Sequence, residues 1–226
     1  EISVAYKTDR VYKDSAGNDV MCYGVSYYNS IGPEYYDKIF KWTREVNPDA
    51  KLCFTDTTTL IDPSKRKLEI YPILENLKKN KNTFDAIGIH GHGGLAFFSP
   101  VSNDDMMSDF YNSFGAASML TEYGMNSGDE IYDANYTRDI FISSLANEHF
   151  EGVYLWGFRS YGLNSEGIYS KCFMDADNRI KPAGEMMIDI MYNKMYTHNV
   201  TVTTDANGEA TFRGFYGNYD VTVDAN

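Results

Sequence analysis

The sequence predicts an α/β fold in which short parallel strands alternate with helices. Short apolar runs bounded by polar residues alternate with longer stretches of helical apolar spacing. Prolines stand where several of these helices are expected to begin. Strands and helices that alternate in this way give parallel strands with helical crossovers. A closed barrel and an open doubly wound sheet both fit this pattern. No glycine-rich phosphate loop follows any strand, which argues against a doubly wound sheet that binds nucleotides.

The elements are expected in a regular order after an irregular loop over residues 1–32. Five helices are predicted at 33–46, 62–77, 104–114, 132–145 and 183–195, and four strands at 51–55, 84–89, 117–121 and 152–156. Asp133 is a candidate cap of the fourth helix. In the second helix, five apolar residues fall roughly at helical spacing and are expected to face the core: Leu68, Ile70, Ile73, Leu74 and Leu77.

The pattern changes near residue 199, which predicts a main domain over 1–197 and a small β module over 198–226. Val200 and Val202 alternate with threonines, and a turn is expected at 205–208. Three short antiparallel strands are predicted. Because such a unit is only marginally stable alone, it is expected to dock on the main domain.

Composition excludes some partners. The chain has 226 residues, 43% of them hydrophobic, and a net charge of −12. This charge argues against a nucleic-acid backbone as partner and disfavours an anionic membrane surface. No apolar run is long enough to cross a bilayer. The 15% aromatic content suits a protein that stacks on sugars, but it also fits a tyrosine-rich surface.

Polar or aromatic groups follow all four predicted strands. In a parallel barrel, the carboxyl ends of the strands form the active-site face. The strand ends carry Thr55-Asp56, His90-Gly-His92, Thr121-Glu122-Tyr123 and Trp156-Gly-Phe158-Arg159. A site built from these groups would hold a carboxylate, two imidazoles and an indole.

Each of these residues also has a structural interpretation. Glu122 could be a solvated rim residue, and Trp156 is of a type found more often in the core than on a binding platform. His90 and His92 share one face of a strand and could bind a metal ion. We expect no metal there, because no carboxylate or third histidine follows at a matching spacing, and the three cysteines show no zinc-ligand spacing.

Five motif-like segments run in order along nearly the whole chain: Asn47-Pro-Asp-Ala-Lys-Leu52, Phe84-Asp-Ala-Ile-Gly-Ile-His-Gly-His92, Leu120-Thr-Glu-Tyr123, Glu151-Gly-Val-Tyr-Leu-Trp-Gly-Phe158 and Lys181-Pro-Ala183. Together they resemble the second half of family 10 glycoside hydrolases, the endo-β-1,4-xylanases. The tail segment Phe212-Arg-Gly-Phe-Tyr-Gly-Asn-Tyr219 is similar to an extension in some eukaryotic members. The resemblance implies strands five to eight of a (β/α)8 barrel. It places the first four strands elsewhere, in the same protein or in another chain.

The resemblance also implies roles for individual residues. Glu122 would be the nucleophile and Glu1 the acid/base, while His92 would hydrogen-bond the nucleophile and Trp156 would line the sugar cleft. Substrate contacts are expected from a wider set of residues at the strand ends: His90, His92, Trp156, Asp56, Tyr123 and Arg159. The chain departs from the family at several of these positions, and His90 stands where the family has Gln.

Two functions remain open. The first is a retaining endo-glycoside hydrolase that acts on xylan or a related β-1,4-linked polysaccharide without a cofactor. The second is a non-catalytic structural or carbohydrate-binding glycoprotein on the same barrel, part of an extracellular assembly. Both place the protein outside the cell or at its surface, and the sequons at Asn135 and Asn199 are candidate glycosylation sites.

Overall fold

The computed structural model describes residues 10–13, 17, 19–22, 31–32, 34–56, 61–82, 84–92, 98–160 and 171–224. Its strands are β1 (Arg10–Lys13), β2 (Asp19–Cys22), β3 (Cys53–Asp56), β4 (Ala86–Ile89), β5 (Ala117–Tyr123) and β6 (Phe150–Leu155). The last four form one parallel sheet in the order β3-β4-β5-β6. The predicted parallel α/β arrangement is therefore confirmed.

In the described part of the chain, five helical segments accompany the sheet, close to their predicted positions. They are α1 (Tyr35–Val46), α2 (residues 63–79), α3 (Pro100–Phe114), α4 (Glu130–Ala146) and α5 (residues 182–194). Helix α2 consists of Pro63–Lys65, a π-helical turn at Arg66–Ile70, and Tyr71–Lys79. Helix α5 consists of Pro182–Asp189 and a π-helical turn at Ile190–Lys194. Helices α2, α3 and α4 each connect one strand of the sheet to the next. This order is the repeating strand–helix unit of α/β proteins.

Side-chain caps explain where three helices begin. Asp62 accepts hydrogen bonds from the backbone N–H groups of Ser64 and Lys65 at the start of α2. Ser99 forms a capping box at the start of α3. Helix α4 is capped by Asp129, so the prediction that Asp133 caps it is wrong. Asp133 lies one turn later, where its carboxylate accepts hydrogen bonds from the backbone and hydroxyl of Ser127.

One apolar residue predicted for the inner face of α2 lies on the outside. Ile70, Leu74 and Leu77 are buried, and Ile73 packs partly against the same core, but Leu68 is 78% exposed. Two residues rotate an α-helix by about 200°, so Leu68 lies on the face opposite Ile70. The assignment of Leu68 to the inner face is therefore wrong.

The strand order of the sheet favours a barrel over an open sheet. Consecutive strands are neighbours throughout, whereas a doubly wound sheet reverses its strand order at a switch point. Lys51 Nζ, just before β3, lies 2.7 Å from Glu151 Oε1, so an ion pair links the segment before β3 to β6.

The core lies between the outer face of the sheet and the helices. Phe54, Ile87, Ile89 and Leu120 are fully buried there. The inner face is more polar and is tightly packed at Gly88, where a Cβ would lie 2.7 Å from both Thr55 Oγ1 and Thr121 Cγ2. Glycine at this position lets the inner side chains of neighbouring strands approach each other.

The expectation of an irregular loop over residues 1–32 is wrong in part. Strands β1 and β2 pair antiparallel, with Arg10 opposite Cys22 and Lys13 opposite Asp19. The loop prediction therefore fails at residues 10–13 and 19–22, and most of its remainder lies outside the described residues.

The tail does not form the three predicted strands. Residues 198–224 are all exposed and none belongs to a strand. The expected docking on the main domain stays a prediction. The turn at 205–208 does form, closed by a 3.0 Å hydrogen bond from Gly208 N–H to the Asp205 carbonyl. Alternating valines and threonines are a local signal. A segment with this pattern forms a strand only where it can pair with a neighbouring strand and pack its apolar face against other residues. The boundary between 197 and 198 stays a prediction.

Candidate active site

A β-bulge sets the directions of the side chains at the end of β5. Leu120 is paired with Val153 and Tyr123 with Leu155, so three steps along β5 match two steps along β6. Burial along β5 alternates up to Leu120 and then breaks, because Thr121 and Glu122 are both partly exposed before Tyr123 is buried again. Bulges at the rims of sheets re-aim side chains in this way.

Glu122 lies between two imidazoles. Its Oε2 is 3.2 Å from Nε2 of His92 and 3.3 Å from Nδ1 of His90. The Glu122 side chain is 19% exposed, and His90 is almost completely buried. The two histidines follow β4 on one face, as predicted, and a bridge between His92 and Gly124 extends the pairing of β4 with β5 to this level. The fold thus brings together three residues predicted at the ends of two neighbouring strands.

Both imidazoles are neutral at pH 7. Burial, with a contribution from His92, lowers the pKa of His90 to about 4. Burial and the nearby charge of Lys171 lower the pKa of His92 to about 4. The contacts to Glu122 are therefore not ion pairs. An ionised carboxylate only accepts hydrogen bonds, so each imidazole bonds it by carrying its proton on the facing nitrogen.

Trp156 forms one wall beside this cluster. Its ring stands edge-on to His92, with the centroids 5.6 Å apart and the planes at 89°. The indole is 41% exposed and follows β6, where its backbone N–H donates a hydrogen bond to the Tyr123 carbonyl. An aromatic ring that is held from one side and open on the other can stack on a ligand. Asp56 ends β3 and is buried, 2% exposed.

Two predicted substrate contacts are placed differently. Tyr123 is fully buried on the outer side of β5, where it packs on Phe141 and Phe173 and donates a hydrogen bond to Thr137. It is a core residue, and the prediction that it binds substrate is wrong because the bulge reverses its direction. Arg159 donates a hydrogen bond to the Ala176 carbonyl, so its guanidinium holds a neighbouring loop.

Lys171 is a neighbour of the site that the sequence did not indicate. A Cβ on Gly124 would lie 2.6 Å from the Lys171 carbonyl oxygen, so glycine allows this close approach. Burial lowers the pKa of Lys171, and its charge acts on His92. No local motif marks Lys171, because tertiary packing alone brings it to the end of β5.

The remaining predicted residues lie apart from the cluster or outside the described residues. Glu1, the expected acid/base, is outside the described residues. Asn135 is exposed on α4 and accepts a hydrogen bond from Arg138, and Asn199 is exposed in the tail. Exposure is compatible with a glycan at either sequon.

The reason for expecting no metal at the two histidines is wrong. Glu122 supplies the carboxylate that no local spacing offered, and potential ligand atoms of His90, His92 and Glu122 all lie within 4.8 Å of one another. The group can therefore act in two ways: as an activated carboxylate held by two donors, or as a set of three ligands.

Among the described residues, no helix has the length and apolar character needed to cross a membrane.

Sequential parallel strands with polar groups at their carboxyl ends are typical of α/β-barrel proteins, whose sites lie at that end of the strands. The chain belongs to glycosyl hydrolase family 10, whose family model matches residues 11–190. This finding confirms the family resemblance read from the motifs. The similarity to solved xylanases implies a (β/α)8 barrel, of which the described residues supply a parallel sheet of four strands.

The relatives include xylanases and one protein with another name. The chain is 35% identical over 109 residues to a β-1,4-xylanase of Dictyoglomus thermophilum, covering 48% of this chain and 29% of the xylanase. It is 23% identical over 209 residues to the anti-sigma-I factor RsgI6 of Acetivibrio thermocellus, covering 91% of this chain and 26% of that protein. The chain thus spans less than a third of each of these two relatives.

A solved xylanase shares the fold over most of the chain. The structure of xylanase 10B from Thermotoga petrophila RKU-1 in complex with xylobiose superposes with a TM-score of 0.63 at 26% identity. The match covers 77% of this chain and 56% of the xylanase. The chain therefore corresponds to a little over half of that structure.

Proposed function

We propose that the protein is a retaining endo-glycoside hydrolase that acts on xylan or a related β-1,4-linked polysaccharide. One observation carries the proposal: Glu122 lies at the carboxyl end of β5 with Oε2 3.2 and 3.3 Å from two neutral imidazoles. Membership in glycosyl hydrolase family 10 supports the reaction class. Relatives that are named endo-1,4-β-xylanases support xylan as the substrate class.

The reaction would use Glu122 as its nucleophile. In the first step, a Glu122 carboxylate oxygen forms a bond to the anomeric carbon while the glycosidic C–O bond breaks and an acid protonates the leaving oxygen. In the second step, water attacks the anomeric carbon, its proton returns to the same acid/base, and Glu122 is released. Glu1 is proposed as the acid/base, and retention of configuration requires the two carboxyl groups of such a pair to lie about 5–5.5 Å apart.

The two histidines would orient the nucleophile and keep it ionised. Two N–H donors directed at one carboxylate stabilise its charged form, and the neutral imidazoles bring no charge that would weaken its attack. Trp156 would stack on a sugar ring, since its indole is partly exposed next to His92. Asp56, at the end of β3, is proposed as a further substrate contact.

Release of reducing sugar from xylan by the full-length protein tests this proposal. Glu122→Gln should abolish hydrolysis, because an amide is too weak a nucleophile to form the glycosyl intermediate. Glu75→Gln is the matched control, since Glu75 is exposed on α2. Proton NMR of the first-formed product should show the β-anomer. A first-formed α-anomer would overturn the retaining mechanism, and full activity of Glu122→Gln would overturn the role of Glu122.

A second function is favoured by one relative. The anti-sigma-I factor RsgI6 aligns over 91% of this chain, although its name describes no hydrolase. The barrel could therefore bind a polysaccharide without cleaving it, as a non-catalytic carbohydrate-binding or structural glycoprotein in an extracellular assembly. Saturable binding of xylo-oligosaccharides by the full-length protein, without any release of reducing sugar, would support this alternative.

A polysaccharide substrate also implies a location and a partner. We expect the protein at the cell surface or secreted, with glycans at the exposed Asn135 and Asn199. We expect the first four barrel strands to come from the same protein or from a partner chain, since a parallel sheet with open edges is unfavourable. A mass decrease on enzymatic deglycosylation of the secreted protein, absent in the double variant Asn135→Gln/Asn199→Gln, tests the glycans.

A further inference from the structure

The inner rim of the sheet carries three ligand-type side chains that face one point. Nδ1 of His90 and Nε2 of His92 approach the same oxygen, Oε2 of Glu122, from the end of the neighbouring strand. Two imidazoles and a carboxylate from two elements are the donor set of many transition-metal sites. The same three side chains that would orient a nucleophile therefore also have the donor atoms needed to bind a metal ion.

The distances match those between ligands of a tetrahedral ion. Zinc lies about 2.0–2.1 Å from imidazole nitrogens and carboxylate oxygens, which places neighbouring ligands about 3.3 Å apart. The two nitrogen-to-oxygen distances in this cluster are 3.2 and 3.3 Å. Two of the three edges between ligands are thus already close to the required length, and all the candidate atoms lie within 4.8 Å. Small rotations of the imidazoles would complete the triangle.

We propose that His90, His92 and Glu122 form a binding site for a divalent transition-metal ion of the zinc class. The ion would replace the two protons that now lie between the imidazoles and the carboxylate. Each imidazole would move its proton to its other ring nitrogen, so that no proton is released. Three protein ligands leave one coordination position for water.

The donor set makes the site selective. Imidazole nitrogens favour Zn²⁺, Co²⁺, Ni²⁺ and Cu²⁺, whereas Mg²⁺ and Ca²⁺ require mainly oxygen ligands. Glutamine at position 90 would replace a strong nitrogen ligand by a weak amide oxygen, so the histidine at this position is the residue that creates the site.

Occupancy of the site would compete with hydrolysis, and this consequence rests on the proposed function. A carboxylate bound to a metal ion donates its electron pair to the ion, so it would no longer be free to attack an anomeric carbon. Zinc should therefore inhibit xylan hydrolysis, and a chelator should restore it.

Isothermal titration of the full-length protein with zinc chloride tests the site without reference to hydrolysis. We expect one equivalent of zinc to bind. The affinity should be at least about tenfold weaker in His90→Gln and in His92→Ala, because even the mutation of a residue that only hydrogen-bonds a metal ligand lowers metal affinity by about that factor. Cobalt(II) should show the visible absorption of a tetrahedral complex, and this absorption should be lost in His90→Gln. Magnesium chloride should give no binding heat.

The other two histidines of the chain provide matched controls. His149→Gln and His198→Gln lie outside the cluster and should bind zinc like the unmodified protein. Absence of saturable binding to the unmodified protein, or unchanged affinity in both His90→Gln and His92→Ala, would overturn the site. If circular dichroism shows that His92→Ala does not fold, the zinc affinity of His90→Gln alone tests the site, and an unchanged affinity would overturn it. Zinc binding in a protein that releases no sugar would support the site and refute the hydrolase.

Discussion

Glu122 and Tyr123 are consecutive in the chain but belong to different parts of the structure. Glu122 contacts His90 and His92 at the inner rim, whereas Tyr123 is fully buried against the helices and hydrogen-bonds Thr137. Up to Leu120 the strand alternates regularly, and the bulge after Leu120 shifts that alternation by one residue. Without the bulge, Glu122 would point into the core and Tyr123 toward the cleft.

Tyr123→Phe should lower stability without affecting the site. The variant removes a 3.0 Å hydrogen bond and leaves the fully buried Thr137 hydroxyl without this donor. We expect a loss of about 1–2 kcal/mol in the free energy of unfolding, measured by urea denaturation, with kcat and KM unchanged. Tyr132→Phe, at an exposed position on α4, is the control. A raised KM for xylan with unchanged stability would instead restore Tyr123 as a substrate contact.

His92→Ala should reduce kcat much more than it changes KM. The side chain donates to Glu122, the proposed nucleophile, and contacts the ring of Trp156, the proposed sugar platform, so its loss removes a constraint mainly on the nucleophile. We expect kcat on xylan to fall roughly 100-fold. His149→Ala serves as the control because its ring stacks on Tyr111, away from the cluster. An equal or larger effect of the control would contradict this role.

The two site histidines should stay neutral well below pH 7. Their pKa values are lowered to about 4 by burial, so the folded protein takes up these protons only at acidic pH. Because the unfolded chain protonates histidine near pH 6.5, stability should fall as pH drops from about 6.5 toward 4. NMR titration of the imidazole Hε1 signals checks this expectation. A midpoint near 6.5 for either residue would refute it.

Asp85→Asn should destabilise the start of the sheet at neutral pH. Burial raises the pKa of Asp85, but hydrogen bonds from Leu52 N–H and the Arg44 guanidinium, both 2.7 Å long, outweigh burial and lower it. Folding is therefore stabilised by the ionised carboxylate above the unfolded pKa. This contribution is lost as pH falls through the folded pKa.

The loss caused by Asp85→Asn should be about 1–2 kcal/mol at pH 7 and should shrink below about pH 4. Urea denaturation at several pH values measures it. Asp49→Asn, at an exposed position after α1, is the control. A loss that is independent of pH would show that the charge of Asp85 does not matter.

Sequence patterns located most of the elements because their signals are local. Asp62 caps α2 through hydrogen bonds to residues two and three positions away, and the start of this helix was predicted from those neighbours. The cap of α3 by Ser99 was missed, since that helix was predicted to begin only at residue 104. The cap of α4 was missed although its signal is equally local, because Asp129 stands four positions before the predicted Asp133. The strand prediction failed in the tail, where the valines alternate without forming strands.

The sequence by itself determined the parallel α/β order, the family, and the residue types at each strand end, because periodicity and motif spacing are properties of the chain. Only the tertiary structure decided which of these residues meet. The bulge in β5 directs Glu122 toward the histidines and Tyr123 into the core, and packing brings Lys171 to Gly124. Side-chain direction depends on strand register, and register is set by pairing with a neighbouring strand that is distant in sequence.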